Sequence, residues 1–201
     1  MGFKKKGYTI IRNAISADTA NIFFGYVLTR RNVCIYYQKK KIPDIAYDYI
    51  GKFGDAITHE SYNIYGDPLM ETLLVHLKKK IKKTIKVKHL YEAFAHVRAY
   101  KKGDALKRHT DRGTCSIAAS INLGGDPWPL YVKVNKKEIE VNLKPGDMLV
   151  YPGRKIPHWR NVFKGDICIQ AFLMYTDKKK YLYDTRSVLG LNVLERKLAV
   201  V

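Results

Sequence analysis

Cysteine and long apolar runs are both scarce in this sequence. Only three cysteines occur among the 201 residues, namely Cys34, Cys115 and Cys168, and there is no CxxC pair. So small and odd a number excludes a disulfide framework, and the missing pair excludes a zinc ribbon. No stretch reaches the roughly 20 apolar residues that a membrane-spanning helix needs, so we expect no membrane partner.

Acidic residues are also few. Asp and Glu number 18 against 37 Lys and Arg, which gives a net charge of +19 and a pI near 9.8. Such an excess favours nucleic acid as a partner, because bound phosphates release their counterions. The excess consists mainly of lysines in scattered runs. This pattern is also typical of a solvated lysine surface, so both interpretations stay open.

The N-terminal residues do not have the pattern of a targeting signal. The lysines at positions 4–6 lead into no apolar secretory stretch, and Lys6 stands where a myristoylation signal has Ser or Thr. We therefore expect an intracellular, cytoplasmic protein.

The chain divides into a helical first part, residues 1–87, and a β-rich second part, residues 88–176. Residues 177–201 are a C-terminal extension. Neither an internal repeat nor a low-complexity linker separates the parts, and 201 residues suffice for one well-packed core. A single domain over residues 1–201 is therefore predicted.

Two helices are predicted in the first part. One begins at Ser16 and ends near Arg30–Arg31, and the other begins at Asp67–Pro68, with Asp as N-cap and Pro at the first helical position. The segment 32–66 shows no sustained period, and we interpret it as a lid or a substrate-facing loop.

The second part consists of short runs typical of strands, separated by turn residues. Seven strands are predicted, at residues 89–100, 115–123, 129–134, 138–143, 147–151, 157–162 and 166–175. Many short strands at this spacing are typical of a sandwich, jelly roll or barrel. We expect a mainly β, α+β fold in which the two helices pack outside one sheet.

Three residues of the second part have the types and spacing of a metal site. His109 and Asp111 are two residues apart next to a predicted strand, so their side chains point the same way. His158 lies on another predicted strand, 49 residues later. Two imidazole nitrogens and one carboxylate on one face of an ion leave positions open, which suits a non-haem Fe(II) oxygenase. The alternative for His109 is a solvated residue of a surface turn.

The segments around these residues resemble a known superfamily. Residues 98–111 (RAYKKGDALKRHTD), residues 144–151 (KPGDMLVY) and His158 are similar to the Fe(II)/2-oxoglutarate-dependent dioxygenases. Their spacing is closest to the prolyl 4-hydroxylase-like branch, which includes small microbial and viral members. If the protein is a viral member, the expected cytoplasmic location is the cytoplasm of the infected host cell.

The resemblance implies a double-stranded β-helix, or jelly-roll, core that binds Fe(II), 2-oxoglutarate and O₂. The implied reaction hydroxylates a C–H bond and converts 2-oxoglutarate to succinate and CO₂. His109, Asp111 and His158 are the implied metal ligands and catalytic residues.

The strand at 89–100 carries a polar face that agrees with this reaction. Its alternation puts His96, Arg98 and Tyr100 on one side, and polar groups inside a small β fold are costly unless they meet ligands or partners. Tyr100 precedes His109 by nine residues. The resemblance implies that a Tyr there binds the 2-oxoglutarate carboxylate.

One departure from the prolyl hydroxylase pattern concerns the far carboxylate of 2-oxoglutarate. Members of the branch have Lys or Arg nine to eleven residues after the second histidine, whereas residues 167–169 are Ile, Cys and Ile. A buried dianion still needs a cationic partner. By strand alternation the candidates are Arg160, two residues after His158, and then Arg98. The alternative for each is an ordinary arginine at the surface or sheet edge.

Arg112, Trp128 and Trp159 flank the predicted site and are candidate substrate-binding residues, although both tryptophans also suit a core. The predicted substrate is a protein or peptide residue such as proline. Nucleic acid and a small metabolite are the alternatives. A jelly-roll module that binds metal without catalysis also remains open.

Overall fold

The computed structural model describes residues 3–43, 50–55, 57–58, 60–113 and 115–177. Apart from Asp177, the predicted C-terminal extension lies outside the described residues. Among the helices that are described, none is long and apolar enough to cross a membrane.

Three helices form the described α-structure: α1 (Phe3–Lys6), α2 (Ala17–Lys39) and α3 (Pro68–Ile85). The predicted starts of the two long helices are confirmed. The Ser16 hydroxyl accepts the Thr19 N–H, and the Asp67 carboxylate accepts the N–H groups of the second and third residues of α3.

Helix α2 is about two turns longer than the sequence predicts, and the expected end near Arg30–Arg31 is wrong. Cys34 follows Val27 by seven residues, which returns it to the same helix face, and both side chains are fully buried. Basic residues favour a helix C-terminus. They do not end a helix whose buried face continues beyond them.

Eleven strands lie in the described residues, and the seven predicted ones are all among them, with every end within two residues of its prediction. Their bounds are β1 (Thr9–Ile11), β2 (Lys52–Phe53), β3 (Tyr62–Tyr65), β4 (Tyr91–Lys101), β5 (Leu106–His109), β6 (Ile117–Gly125), β7 (Leu130–Val134), β8 (Lys137–Val141), β9 (Met148–Tyr151), β10 (His158–Arg160) and β11 (Ile167–Thr176).

The strands form two antiparallel sheets. The major sheet has the order β1-β9-β6-β11-β4-β3-β2, and the minor sheet has the order β5-β10-β7-β8. Side chains from both sheets share one buried cluster, including Phe172 and Leu149 of the major sheet and Val132 of the minor sheet. The inner faces of the two sheets therefore pack against each other.

The outer face of the major sheet carries the helices, as predicted. Ala95, Val97 and Ala99 of β4 share a second buried cluster with α2 and α3, whereas Phe94 and Tyr100 belong to the cluster between the sheets. The alternation predicted for this strand is thus confirmed. It divides β4 into a helix-facing side and a side that faces the minor sheet.

The segment 32–66, interpreted above as a lid or a substrate-facing loop, contains regular structure. Its first residues extend α2, and β2 and β3 add two strands to the edge of the major sheet. In β3, Tyr62 pairs with Ala99 and Tyr65 pairs with His96. Sequence periodicity does not reveal strands this short, because two to four residues do not establish an alternation.

Replacement of the α3 N-cap is expected to destabilise the protein. Asp67 is buried, caps α3 and accepts the Tyr26 hydroxyl of α2 at 2.5 Å. We expect Asp67→Ala to lower the free energy of unfolding by about 1–2 kcal/mol, measured by urea denaturation. Asp67→Asn keeps a capping oxygen and should lose less. Wild-type stability of the Ala variant would contradict this role.

Candidate metal centre

The three predicted metal ligands lie close together between the two sheets. His109 of β5 is opposite His158 of β10 in the antiparallel register, and their ring centres are 4.2 Å apart. Asp111 follows β5, and its Oδ1 lies 3.8 Å from His109 Nε2 and 3.6 Å from His158 Nε2. One ligand atom from each residue lies within 4.8 Å of the other two. Metal binding by these residues stays a prediction.

Backbone carbonyls fix the tautomer of both histidines. The Nδ1–H of His109 donates to the carbonyl of Lys107 at 2.7 Å, and the Nδ1–H of His158 donates to the carbonyl of Ile156 at 3.0 Å. A carbonyl oxygen only accepts, so each proton is on Nδ1 and each Nε2 keeps a lone pair. Metal-binding histidines are commonly oriented by such a hydrogen bond.

Burial sets the charge of the three groups. It lowers the pKa of His158 to about 4, and together with the proximity of His158 it lowers the pKa of His109. Burial raises the pKa of Asp111 to about 6, against the opposing effect of His109. Asp111 Oδ2 is buried and has no hydrogen-bond partner among the described residues. Two neutral imidazoles and a buried carboxylate with an unpaired oxygen fit a divalent metal ion.

Gly153 leaves the space that Asp111 occupies. The Asp111 N–H donates to the Gly153 carbonyl at 2.9 Å. A Cβ atom at Gly153 would overlap the Asp111 carboxylate. Any larger residue at this position therefore displaces the carboxylate from the two imidazoles.

A cavity of about 210 Å³ lies beside the three residues. Its wall includes Tyr65, His96 and Arg98 from the major sheet and Arg112, the residue directly after Asp111. Both polar and aromatic groups therefore lie next to the candidate metal centre.

Tyr100 and Arg160 lie deeper between the sheets, next to each other. Both are buried, the Tyr100 ring contacts Trp128 edge-on at 4.8 Å, and the Arg160 guanidinium lies 4.9 Å from the centre of the same indole. Burial raises the pKa of Tyr100, against the charges of Arg98 and Arg160. The phenol therefore keeps its proton and is a donor at neutral pH.

The Arg160 guanidinium has no carboxylate partner within the described residues. It donates to the Trp128 carbonyl and, at 3.2 Å, to Gln170 Oε1. Burial lowers its pKa, and the neighbours that act against this are Cys168 and two tyrosines. Arg160 thus reaches across from β10 to β11, toward the window where the prolyl hydroxylase pattern has its cation.

Arg98, the second candidate, already has an anionic partner. Its Nη2 donates to Asp55 Oδ2 and, at 2.9 Å, to the Tyr65 hydroxyl. Asp55 Oδ1 accepts the N–H groups of Ile57 and Thr58. Burial alone would raise the pKa of Asp55, but the charge of Arg98 and these hydrogen bonds outweigh it and lower the pKa far below its usual range. Arg98 therefore fixes the loop that follows β2.

The candidate substrate residues lie in three different places. Arg112 lines the cavity, and its guanidinium is 5.3 Å from the Phe94 ring centre. Trp128 lies beside Arg160 and does not line the cavity next to the three predicted metal ligands. Trp159 points to the outer face of the minor sheet and stacks on Tyr131 at 5.6 Å. Trp159 does not reach the three predicted metal ligands, because its side chain points to the opposite side of β10 from His158 and Arg160.

Sequence reasoning missed several residues that shape the site. Asp55 lies 43 residues from Arg98, and no local pattern links them. Phe172 stacks on His96, which lines the cavity. Tyr151 contacts the His158 ring edge-on at 4.8 Å. Alternation along β11 offered a signal for Phe172.

Gly153→Ala is expected to weaken metal binding without unfolding the protein. The added methyl group displaces the Asp111 carboxylate, and we expect Mn²⁺ affinity in calorimetric titration to fall at least about tenfold. Gly113→Ala is the matched control, because a Cβ there has no neighbour within 4 Å. Equal losses in the two variants would show that Gly153 has no special role.

Removing the charge of Asp55 is expected to destabilise the fold. Asp55→Asn keeps the oxygen that accepts the loop N–H groups but leaves the buried Arg98 uncompensated, so we expect a loss of about 3–5 kcal/mol in the free energy of unfolding. Chemical denaturation measures it. Adding Arg98→Met should restore part of the loss, and a double variant less stable than the single one would refute the pairing.

Comparisons with known proteins identify similar structures, whereas comparisons of the sequence alone find no match. No protein-family model matches the sequence, and no curated protein matches it. A prolyl-4-hydroxylase structure from Pseudomonas putida is similar at a TM-score of 0.62 and 13% identity, covering 88% of this chain and 95% of that one.

Two further structures are similar. The viral collagen prolyl hydroxylase of Paramecium Bursaria Chlorella virus-1, in complex with 2-oxoglutarate, has a TM-score of 0.57 and 15% identity over 86% of this chain and 97% of that one. HygX from Streptomyces hygroscopicus, with nickel, 2-oxoglutarate and hygromycin B bound, has a TM-score of 0.61 and 12% identity over 86% and 84%. The chain therefore has the fold of the 2-oxoglutarate- and Fe(II)-dependent oxygenases, prolyl 4-hydroxylases among them.

Proposed function

We propose that this protein is an Fe(II)- and 2-oxoglutarate-dependent oxygenase that hydroxylates a C–H bond, and that its two sheets form a double-stranded β-helix. The observation that carries the proposal is the convergence of His109, Asp111 and His158 between the sheets. Their donor set suits Fe(II), because it leaves room on the ion for 2-oxoglutarate and O₂. The shared fold supports the same conclusion.

The distribution of buried charge supports 2-oxoglutarate as the cosubstrate. Arg98 is neutralised by Asp55, which leaves Asp111 as a buried anion and Arg160 as a buried cation without carboxylate partner in the described part of the chain. A divalent ion beside Asp111 and a dianion beside Arg160 would give each of these buried charges an opposite partner. Buried charges are tolerated only when they are balanced in this way.

Arg160 and Tyr100 are the proposed cosubstrate-binding residues. The guanidinium offers parallel N–H donors that suit a carboxylate, and the protonated phenol offers one more. Trp128 packs against both side chains. Arg98 is assigned to the loop instead, since its charge is already paired.

Backbone groups prepare the metal ligands. The carbonyls of Lys107 and Ile156 keep Nε2 of the histidines unprotonated, and Gly153 leaves space for Asp111. Bound Fe(II) supplies the activation of O₂ that couples decarboxylation of 2-oxoglutarate to hydroxylation of the substrate.

We favour a peptide residue such as proline as the substrate. The cavity of about 210 Å³ is smaller than the roughly 300–1,000 Å³ of pockets for drug-sized ligands, which supports a group the size of a side chain. HygX binds hygromycin B, so a small metabolite is the alternative.

Nucleic acid receives less support as a substrate. The exposed lysines of α3, among them Lys79, Lys82 and Lys83, belong to a helix on the outer face of the major sheet, whereas the cavity lies at its inner face. This group of positive charges therefore does not surround the candidate metal centre.

Turnover of 2-oxoglutarate tests the proposal. We expect the wild-type protein with added Fe(II) to release succinate, and Asp111→Ala to release none. Arg160→Met should raise the KM for 2-oxoglutarate about 10- to 100-fold, because a charge-assisted hydrogen bond contributes about 1.5–3 kcal/mol. A wild-type protein that binds metal but releases no succinate would instead support a non-catalytic module.

A second substrate separates the role of Arg160 from a general loss of folding. 2-Oxobutanoate has the same reactive end but lacks the far carboxylate, so the wild type should strongly prefer 2-oxoglutarate. Arg160→Met should lose this preference, and Arg160→Lys should keep part of it. A preference unchanged by Arg160→Met would refute the assignment.

A further inference from the structure

His96 is a buried histidine next to the candidate metal centre and is not one of its ligands. Its imidazole lies between two rings, that of Tyr65 at 4.8 Å with 15° between planes and that of Phe172 at 4.6 Å with 14°. The register explains this arrangement, because His96 pairs with Tyr65 of β3 on one side and with Phe172 of β11 on the other. The two neighbouring strands therefore fix the plane of the imidazole.

One ring nitrogen of His96 is not used by the described residues. The residue is 6% exposed, and its Nδ1 is buried with no hydrogen-bond partner in the part of the chain that the structure describes. A phenylalanine would fill the space between the two rings without leaving a nitrogen unpaired. Buried polar groups are otherwise almost always paired, so this nitrogen needs a partner that the described residues do not supply.

The position of His96 indicates where that partner binds. His96 lines the same cavity as His109, Asp111 and His158. A molecule that contacts His96 from this cavity is therefore next to the candidate metal centre, where a C–H bond must lie in order to be oxidised.

The charges around His96 restrict the kind of group it can meet. Burial lowers the pKa of His96 well below its usual value, and Arg98 and Arg112 act in the same direction, against Asp55. The imidazole is therefore neutral. Arg112 lines the same cavity, and its positive charge, together with that of a divalent ion held by the three predicted ligands, would disfavour an ammonium group there.

We propose that His96 is a substrate-binding residue that forms a hydrogen bond with an uncharged polar group of the substrate, such as an amide or a hydroxyl. This inference rests on the oxygenase function proposed above and narrows its substrate. Peptide residues such as proline or asparagine fit the requirement, and a lysine side chain does not.

The test measures how blocked amino acids stimulate succinate release. The probes are N-acetyl-L-prolinamide and N-acetyl-L-asparaginamide as uncharged compounds and N-acetyl-L-lysinamide as the cationic one, each with Fe(II) and 2-oxoglutarate. We expect an uncharged probe to increase the wild-type rate and the lysine probe not to. His96→Phe should lower kcat/KM for the stimulating probe about tenfold, mainly through KM, as loss of one hydrogen bond predicts.

Two further variants separate recognition from structure. His96→Gln restores a hydrogen-bonding side chain and should recover part of the loss, whereas a purely structural role would leave Gln no better than Phe. His76→Phe, at an exposed position of α3, should match the wild type.

Each outcome decides between the two proposals. Stimulation by the lysine probe, stimulation by neither uncharged probe, or an unchanged kcat/KM in His96→Phe would overturn the role of His96 while succinate release stands. Absence of succinate release from the wild type would instead overturn the oxygenase function itself.

Discussion

Charge buried between two β-sheets must be balanced, and this requirement organises the interior of the molecule. Asp55 balances Arg98 within the chain, at the cost of closing the loop after β2 over one side of the cavity. Within the described residues, Asp111 Oδ2 accepts no hydrogen bond and Arg160 has no carboxylate partner. The interior thus contains one complete pair and two opposite charges that are not paired with each other, which is the arrangement expected of a site for a cation and an anion together.

The two faces of the major sheet have different tasks. Its outer face packs on α2 and α3 through small and branched side chains, and the exposed side of α3 carries lysines. Its inner face carries Phe94, His96, Arg98 and Tyr100 toward the minor sheet. The helices therefore stabilise β4 from behind without contributing to the cavity. The lysine-rich exterior and the chemistry of the interior are separate properties, and the first says little about the second.

Local patterns in the sequence predicted much of this architecture. Alternation identified the inward face of β4, turn residues bounded the strands, and the HxD spacing selected residues that do meet His158. Local patterns failed where a long-range contact decides the outcome. Helix α2 continues because Cys34 meets a buried surface, and β2 and β3 exist because β4 offers a free edge. Asp55 could not be found for the same reason. Trp159 lies on the outer face of the minor sheet, because proximity in sequence to a predicted ligand does not fix the side of the strand.

Strand β10 consists of only three residues, yet it carries both His158 and Arg160. The prolyl hydroxylase pattern described above puts the cation nine to eleven residues after the second histidine. Here both groups share one short backbone segment, about 7 Å apart along the strand. A shift of that segment would move the predicted metal ligand and the proposed cosubstrate-binding residue together. Trp159 lies between them and stacks on Tyr131 at the outer face of the minor sheet, so a change at Trp159 is expected to reach both residues through the backbone that they share.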